Sequence, residues 1–239
     1  MTNAERLFSV TDLHAHYGKS HILHGVNFHI ESGEVLSLLG RNGSGRSTTL
    51  KSIMGLVTPT SGQIKLNGRN LAGQRPYSVS RAGIAYVPEE REVFANLTVE
   101  ENLRMGEQNS SRDAARWTFE QMFDYFPRLK ERCNTKAGSL SGGEQQMLTI
   151  CRSLLGNPYL ILIDEPTEGL APKIVRVVGE AIKDIHRRGV SVVLVEQKLA
   201  IALQVSSRVC VMGHGRIVFE GATEQLTSSP QLMKDWLAV

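Results

Sequence analysis

Two carboxylates stand side by side at Asp164 and Glu165, directly after the apolar run Leu160–Ile163. Such a run reads as a buried strand, and acids at the carboxyl edge of a parallel sheet stand where ligands collect. One acid can organise a metal ion while its neighbour polarises a water. Two adjacent carboxylates beside a metal suit phosphoryl transfer, where positioning and electrostatics supply most of the catalysis. In isolation, an Asp-Glu pair reads more readily as two solvated loop acids. A second motif narrows the choice. Gly40-Arg41-Asn42-Gly43-Ser44-Gly45-Arg46-Ser47-Thr48 lies between an apolar run and a helical stretch. In that context glycines let backbone amides wrap phosphate oxygens, and the helix start adds its positive end. Ser47 would offer a hydroxyl to a Mg²⁺ bridging the β- and γ-phosphates. A plain glycine-rich strand-to-helix turn is the alternative for this stretch alone.

The position before Ser47 usually carries Lys in a phosphate loop, and here it is Arg46. The charge is kept, but a planar fork replaces a compact point charge. Small misplacements of such a group cost about 100-fold in rate. Leu140-Ser141-Gly142-Gly143-Glu144-Gln145 starts another helix, with Ser141 and Glu144 forming a capping box. Two glycines at its first positions each lower helix propensity by roughly 1 kcal/mol, which suits a helix start that an anion must approach closely. Val192–Val195 is a further apolar strand, ending in Glu196-Gln197.

The elements that would position these groups follow from periodicity and punctuation. Leu7–His14, His21–Ile30, Val35–Leu39 and Gln63–Leu66 read as strands, broken by Tyr17-Gly18, Ser32-Gly33 and Thr60-Ser61-Gly62. Val35–Leu39 is nearly all apolar, as a central strand requires. Ser47–Gly55 reads as a helix and Gly83–Val87 as a short strand. From about Val99 to Glu131 helical patterns take over. Thr98-Val99-Glu100-Glu101 forms a capping box, and Phe119, Met122, Phe123 and Phe126 fall on one helix face as a core stripe. Leu160–Ile163, Ala171–Arg187, Val190–Val195 and Ala200–Gln204 then alternate strand and helix, which implies a parallel sheet. The fold class is α/β, with a sheet core interrupted by a helical insertion.

Composition excludes little but bounds the rest. The chain has 239 residues, 41% of them hydrophobic and 21% charged, the profile of an ordinary globular protein. A net charge of +3 with scattered Lys and Arg gives no reason to expect a nucleic-acid partner. No apolar stretch reaches the roughly 18–20 residues that span a bilayer. Met1–Val10 has no apolar segment of the secretory kind. Cys133, Cys151 and Cys210 have no metal or redox spacing, and read as reduced, partly buried thiols of a cytoplasmic chain.

Taken together, these motifs resemble the ATP-binding-cassette ATPases over essentially the whole chain. The resemblance implies a P-loop NTPase core with a mixed, largely parallel sheet, an antiparallel β subdomain and a helical insertion subdomain. Residues 1–88 and 157–239 would form the core and 89–156 the helical part, within one ATPase domain. Asp164 then matches the Mg²⁺-organising carboxylate, Glu165 the general base, and Tyr17 an aromatic that stacks on adenine, although a packing tyrosine is the plain alternative. Glu168-Gly169-Leu170-Ala171 matches a subunit-contacting loop. Ser141, Gly142 and Gly143 would bind nucleotide held by a partner subunit. Glu89 stands where the family usually has Gln near the metal, and Gln197 where it usually has His. Gln197 can hydrogen-bond a γ-phosphate or water but cannot exchange a proton near neutral pH.

Val87-Pro88-Glu89-Glu90-Arg91, Leu97-Thr98-Val99-Glu100-Glu101-Asn102-Leu103 and Val195-Glu196-Gln197 are similar to the smaller ATPase subunit of bacterial branched-chain amino acid importers. That resemblance implies a second ATPase subunit in a hetero- or homodimer and two membrane permease subunits. It also implies an extracytoplasmic substrate-binding protein acting indirectly, and a peripheral position on the cytoplasmic face of the inner membrane. The region around Glu89–Leu97 would dock on the membrane partner. Two alternatives share the motifs: a urea or amide importer, and a cassette with impaired hydrolysis that completes a partner's active site. Chromosome and repair cassettes need long heptad insertions, and ribosome-associated ones a tandem cassette; neither is present.

Overall fold

The computed structural model describes residues 6–107 and 117–237. Its strands are β1 (Arg6–Tyr17), β2 (Ser20–Glu31), β3 (Val35–Leu39), β4 (Pro59–Leu66), β5 (Arg69–Asn70), β6 (Ile84–Val87), β7 (Leu160–Asp164), β8 (Ser191–Glu196), β9 (Arg208–Gly213) and β10 (Arg216–Ala222). The helices are α1 (Arg46–Ile53), α2 (Pro76–Ala82), α3 (Val99–Arg104), α4 (Phe119–Tyr125), α5 (Pro127–Glu131), α6 (Gly142–Leu155), α7 (Pro172–Arg187), α8 (Leu199–Val205), α9 (Thr223–Thr227) and α10 (Pro230–Trp236).

Two sheets result. One has the order β10-β9-β3-β8-β7-β6, parallel throughout except for β10. The other is antiparallel, with the order β2-β1-β4-β5. The α/β class and its antiparallel companion sheet are as expected. All five residues of β3 and all six of β8 are buried, the signature of strands covered on both faces. The period of two divides them cleanly. Val35, Ile161, Ile163, Val192 and Leu194 pack toward the helices, while Leu36, Leu38, Leu160, Leu162, Val193 and Val195 pack with β1, β2 and α1. A third cluster joins Leu39, Val209 and Val211 to α8, α9 and α10.

Helices α3–α6 lie between β6 and β7 in the chain. Both expected capping boxes form, at Thr98–Glu101 and Ser141–Glu144, and Thr118–Gln121 supplies another. The aromatic stripe is core: Met122 and Phe126 are buried, with Phe119 and Phe123 packed against the same cluster. The expected helical stretch to Glu131 includes residues 108–116, which lie outside the described residues. All three cysteines are free thiols, Cys133 half-buried and the other two buried. Burial pushes the Cys210 thiol up to about 12. Among the described residues no helix is long and apolar enough to cross a membrane.

Candidate functional site

The loop after β3 turns on glycines whose backbone other residues resist. Gly40, Gly43 and Gly45 have φ of 152°, 78° and 104°, and a side chain at Gly40 would stand 2.5 Å from the Met212 carbonyl. Gly45 caps α1 in the left-handed region. Asn42 through Thr48 thereby line a cavity of about 260 Å³, together with Glu89, Glu165, Glu168 and Gln197. Ser44 Oγ is buried and has no hydrogen-bond partner among the described residues. An orphaned buried hydroxyl of this kind fits an acceptor brought by a ligand, such as a phosphate oxygen.

The carboxyl edge of the parallel sheet brings the acids to the same place. Asp164 closes β7, accepting from Ser47 Oγ at 3.1 Å on one oxygen and from Tyr86 OH at 3.2 Å on the other. Burial raises the Asp164 carboxyl above its ordinary value against the pull of those donors and of Lys51 and Arg46. Burial likewise raises the Tyr86 phenol. Glu165 follows with φ +43°, a left-handed conformation that costs a non-glycine residue energy and is found at sites where surroundings over-determine the backbone. Its amide is tied to the Val195 carbonyl at 2.9 Å, across to β8.

Arg46 does not reach outward. Its side chain is 3% exposed and donates from Nη2 to Glu165 Oε1 at 2.7 Å and Asn42 Oδ1 at 3.2 Å, and from Nη1 to the Glu196 carbonyl at 2.9 Å. Gln197 Nε2 donates to the other Glu165 oxygen at 2.6 Å. Burial lowers the Arg46 guanidinium below its ordinary value, opposed by the charges of Glu165, Asp164, Glu196 and Glu89. For Glu165, burial dominates over Arg46 and Gln197 and pushes the carboxyl up to about 7, with Glu168 adding to the rise. Burial also raises Glu89, helped by a hydrogen bond to Glu168 and by that residue's charge. Oxygens of Glu89, Glu165 and Glu168 lie within 4.8 Å of one another.

Three participants were not assigned to this site from the sequence. Glu168 lines the cavity; Tyr86 holds Asp164; and buried Glu196 accepts from Thr167 Oγ1 at 2.6 Å and from the amides of Gln197 and Lys198, each at 3.2 Å. The position of Glu196 at the end of an apolar strand, beside Gln197, was the available signal. Tyr17 and the Ser141, Gly142, Gly143 helix start do not line the cavity. Tyr17 is half exposed at the end of β1. A side chain at Gly142 would stand 2.4 Å from Arg91 Nη1, and one at Gly143 3.1 Å from Ile174. Within this chain, then, the approach to Gly142 is made by a cation. Arg41 points elsewhere, bonding the Lys234 carbonyl of α10 at 3.0 Å.

A phosphate-cradling loop between the central strand and a helix, with acids at the edge of an adjoining strand, defines a P-loop nucleotide-binding protein. The chain belongs to the ABC transporter family, whose sequence profile matches residues 23–168. It is 41% identical to the high-affinity branched-chain amino acid transport ATP-binding protein BraG of Pseudomonas aeruginosa, over 97% of this chain and 99% of that one. It is 37% identical to the probable branched-chain amino acid transport ATP-binding protein LivF of Archaeoglobus fulgidus, over 93% and 94%. Among solved structures, it superposes on a nucleotide-free ATP-binding cassette with a TM-score of 0.82 and 25% identity, covering 96% and 98%. An ATP-binding subunit of another ABC transporter gives 0.81 and 30%, over 95% and 94%.

Proposed function

We propose that this chain is the ATP-hydrolysing subunit of a membrane importer of branched-chain amino acids. One observation supports the chemistry above the rest: the glycine cradle and Glu165 line the same cavity. The two relatives named for branched-chain amino acid transport, matched over nearly their whole lengths, support the substrate class. They favour this reading over a cassette without turnover.

The residues divide the work as follows. Amides of Gly40–Thr48 and the start of α1 hold the β- and γ-phosphates, with Ser44 Oγ donating to one of their oxygens. Ser47 and Asp164, already 3.1 Å apart, would hold Mg²⁺, with Glu89 close by; an all-oxygen donor set fits that hard cation. When bound, the ion neutralises charge on the phosphoryl group being transferred. Glu165 accepts the proton of the attacking water. To do so it must first be released, since Arg46 and Gln197 occupy both of its oxygens. An entering γ-phosphate is the stronger anion and draws both donors to itself, leaving Glu165 free to orient water. Tyr17 stacks on adenine, and Ser141, Gly142 and Gly143 face nucleotide held by a second ATPase subunit. In this proposal residues 89–156 form the helical unit facing two permease subunits, and 1–88 with 157–239 the nucleotide core, at the cytoplasmic face of the membrane.

The test is co-purification with the permease and ATPase partners, followed by phosphate release and uptake of leucine, isoleucine and valine in proteoliposomes. Both activities fall together in Glu165→Gln if the reading holds. Unchanged phosphate release would assign hydrolysis to the partner subunit, and uptake of urea or short amides instead would overturn the substrate.

A further inference from the structure

The β1–β2 hairpin gathers four histidines on adjoining strands. His14 lies opposite His24 and His16 opposite His21, with register shifts at Leu13/His14 and Ala15/His16 that let all four rings meet. The His16 ring stacks on His21 at 4.0 Å and 9°, His24 lies 3.9 Å from His21, and His14 lies 5.2 Å from it. Within this group two nitrogens face each other: His14 Nδ1 and His21 Nε2 are 3.0 Å apart. Zn–N bonds of about 2.0–2.1 Å place two ligating nitrogens roughly 2.9–3.4 Å apart, for bond angles from square to tetrahedral.

The other side of His14 is arranged as ligating histidines are. His14 Nε2 lies 3.2 Å from Asp12 Oδ1, so the ring donates N–H to the carboxylate and turns the Nδ1 lone pair toward His21. A carboxylate behind a histidine fixes its tautomer and raises its basicity toward a metal. Thr60 Oγ1, 3.2 Å from His16 Nδ1, anchors the stack from β4. We propose that this hairpin carries a site for a borderline transition-metal cation such as Zn²⁺ or Ni²⁺, ligated by His14 Nδ1 and His21 Nε2, with Asp12 orienting His14. Imidazole suits these ions. Water completes the coordination shell on the exposed side of His21, and a proton bridges the two nitrogens when no cation is bound. The site lies outside the phosphate cavity, whose lining contains no histidine, and adjoins Tyr17 at the end of β1.

Calorimetric titration of Zn²⁺ alone into the full chain, without nucleotide or Mg²⁺, tests the assignment, with the thermal unfolding of each variant measured separately to establish that it is folded. One binding site is expected. His14→Gln and His21→Gln should each weaken it at least tenfold, and Asp12→Asn about tenfold, whereas His186→Gln on α7 leaves it unchanged. No uptake by the wild type at millimolar Zn²⁺ overturns the proposal. So does uptake unaltered in both His14→Gln and His21→Gln, which would move binding to the carboxylates of Glu89, Glu165 and Glu168.

Discussion

Arg46 Nη2 stands 2.7 Å from Glu165 Oε1, and both side chains are more than nine-tenths buried. The cation of the phosphate loop and the acid proposed to activate water neutralise each other while no nucleotide is bound. A lysine at the same place lacks the planar fork that spans the acceptors of Arg46. The guanidinium fork reaches Glu165, Asn42 and the Glu196 carbonyl together, whereas an ammonium is a point charge on a flexible stem. Arg46→Lys is therefore expected to leave kcat unchanged or to raise it, measured as phosphate release by the assembled transporter. A large loss would mean that the pocket is built around the arginine.

Glu165→Gln removes the proposed base but keeps the shape. Hydrolysis at this chain's site should fall by about 100-fold or more, the range of general-base contributions. ATP binding should persist and hold a closed ATP-bound dimer, visible by size-exclusion chromatography. Wild-type turnover in this variant would remove Glu165 from the mechanism.

The buried pair also makes a stability prediction. Breaking such a pair from one side leaves a charge without its partner and costs about 3–5 kcal/mol. Glu165→Ala should lower the denaturant midpoint of the nucleotide-free chain accordingly at pH 8, where the Glu165 carboxyl, pushed up to about 7, is ionised. Its folded-state value lies above the ordinary one, so between about 4.5 and 7 the folded chain holds a proton that the unfolded chain has lost. That group's contribution to stability falls as pH rises across the window. The cost of Glu165→Ala should therefore be larger at pH 5 than at pH 8, and an equal or smaller cost at pH 5 would count against the shift.

With Glu165 as the proposed base, the same raised carboxyl predicts the pH profile of activity. A base must be deprotonated to work, so kcat/KM should climb with pH through an acid limb near 7. Glu168 contributes to the rise; Glu168→Gln should move that limb to lower pH. An unmoved limb would assign it to another group, such as the nucleotide itself.

Gly142→Ala separates folding from assembly. Alanine favours the helix by about 1 kcal/mol over glycine, and the nearest atoms it would meet among the described residues belong to the guanidinium of Arg91, the far end of a long side chain that bonds the Glu168 carbonyl at 3.0 Å. Nucleotide-free stability should hold or rise, while ATP-driven dimerisation falls if the helix start must face a partner's phosphates. Unimpaired dimerisation would leave Gly142 with a role inside its own chain.

Much of this was legible in the residues themselves. Val35–Leu39 announces a doubly covered strand by composition alone, and the phosphate loop by its glycines. Ser141 and Glu144 mark the start of α6 through a local, reciprocal pair of bonds. No element was placed beyond Gln204, although β9, β10, α9 and α10 lie there. The alternating burial of β10, from an exposed edge strand, is a weak signal, and α9 and α10 span only five and seven residues. The inward fold of Arg46 was invisible for a different reason. Two of its three partners, Glu165 and Glu196, are 119 and 150 residues away, and only the closed sheet brings them within reach.

Glu165 adopts its left-handed backbone as a residue with no intrinsic taste for it. Asn, Asp and Gly are more comfortable there, so a library at this position screened for yield alone should drift toward them. Selection for transport would drag it back to Glu. In the proposed mechanism this is a position where foldability and turnover rank the amino acids differently.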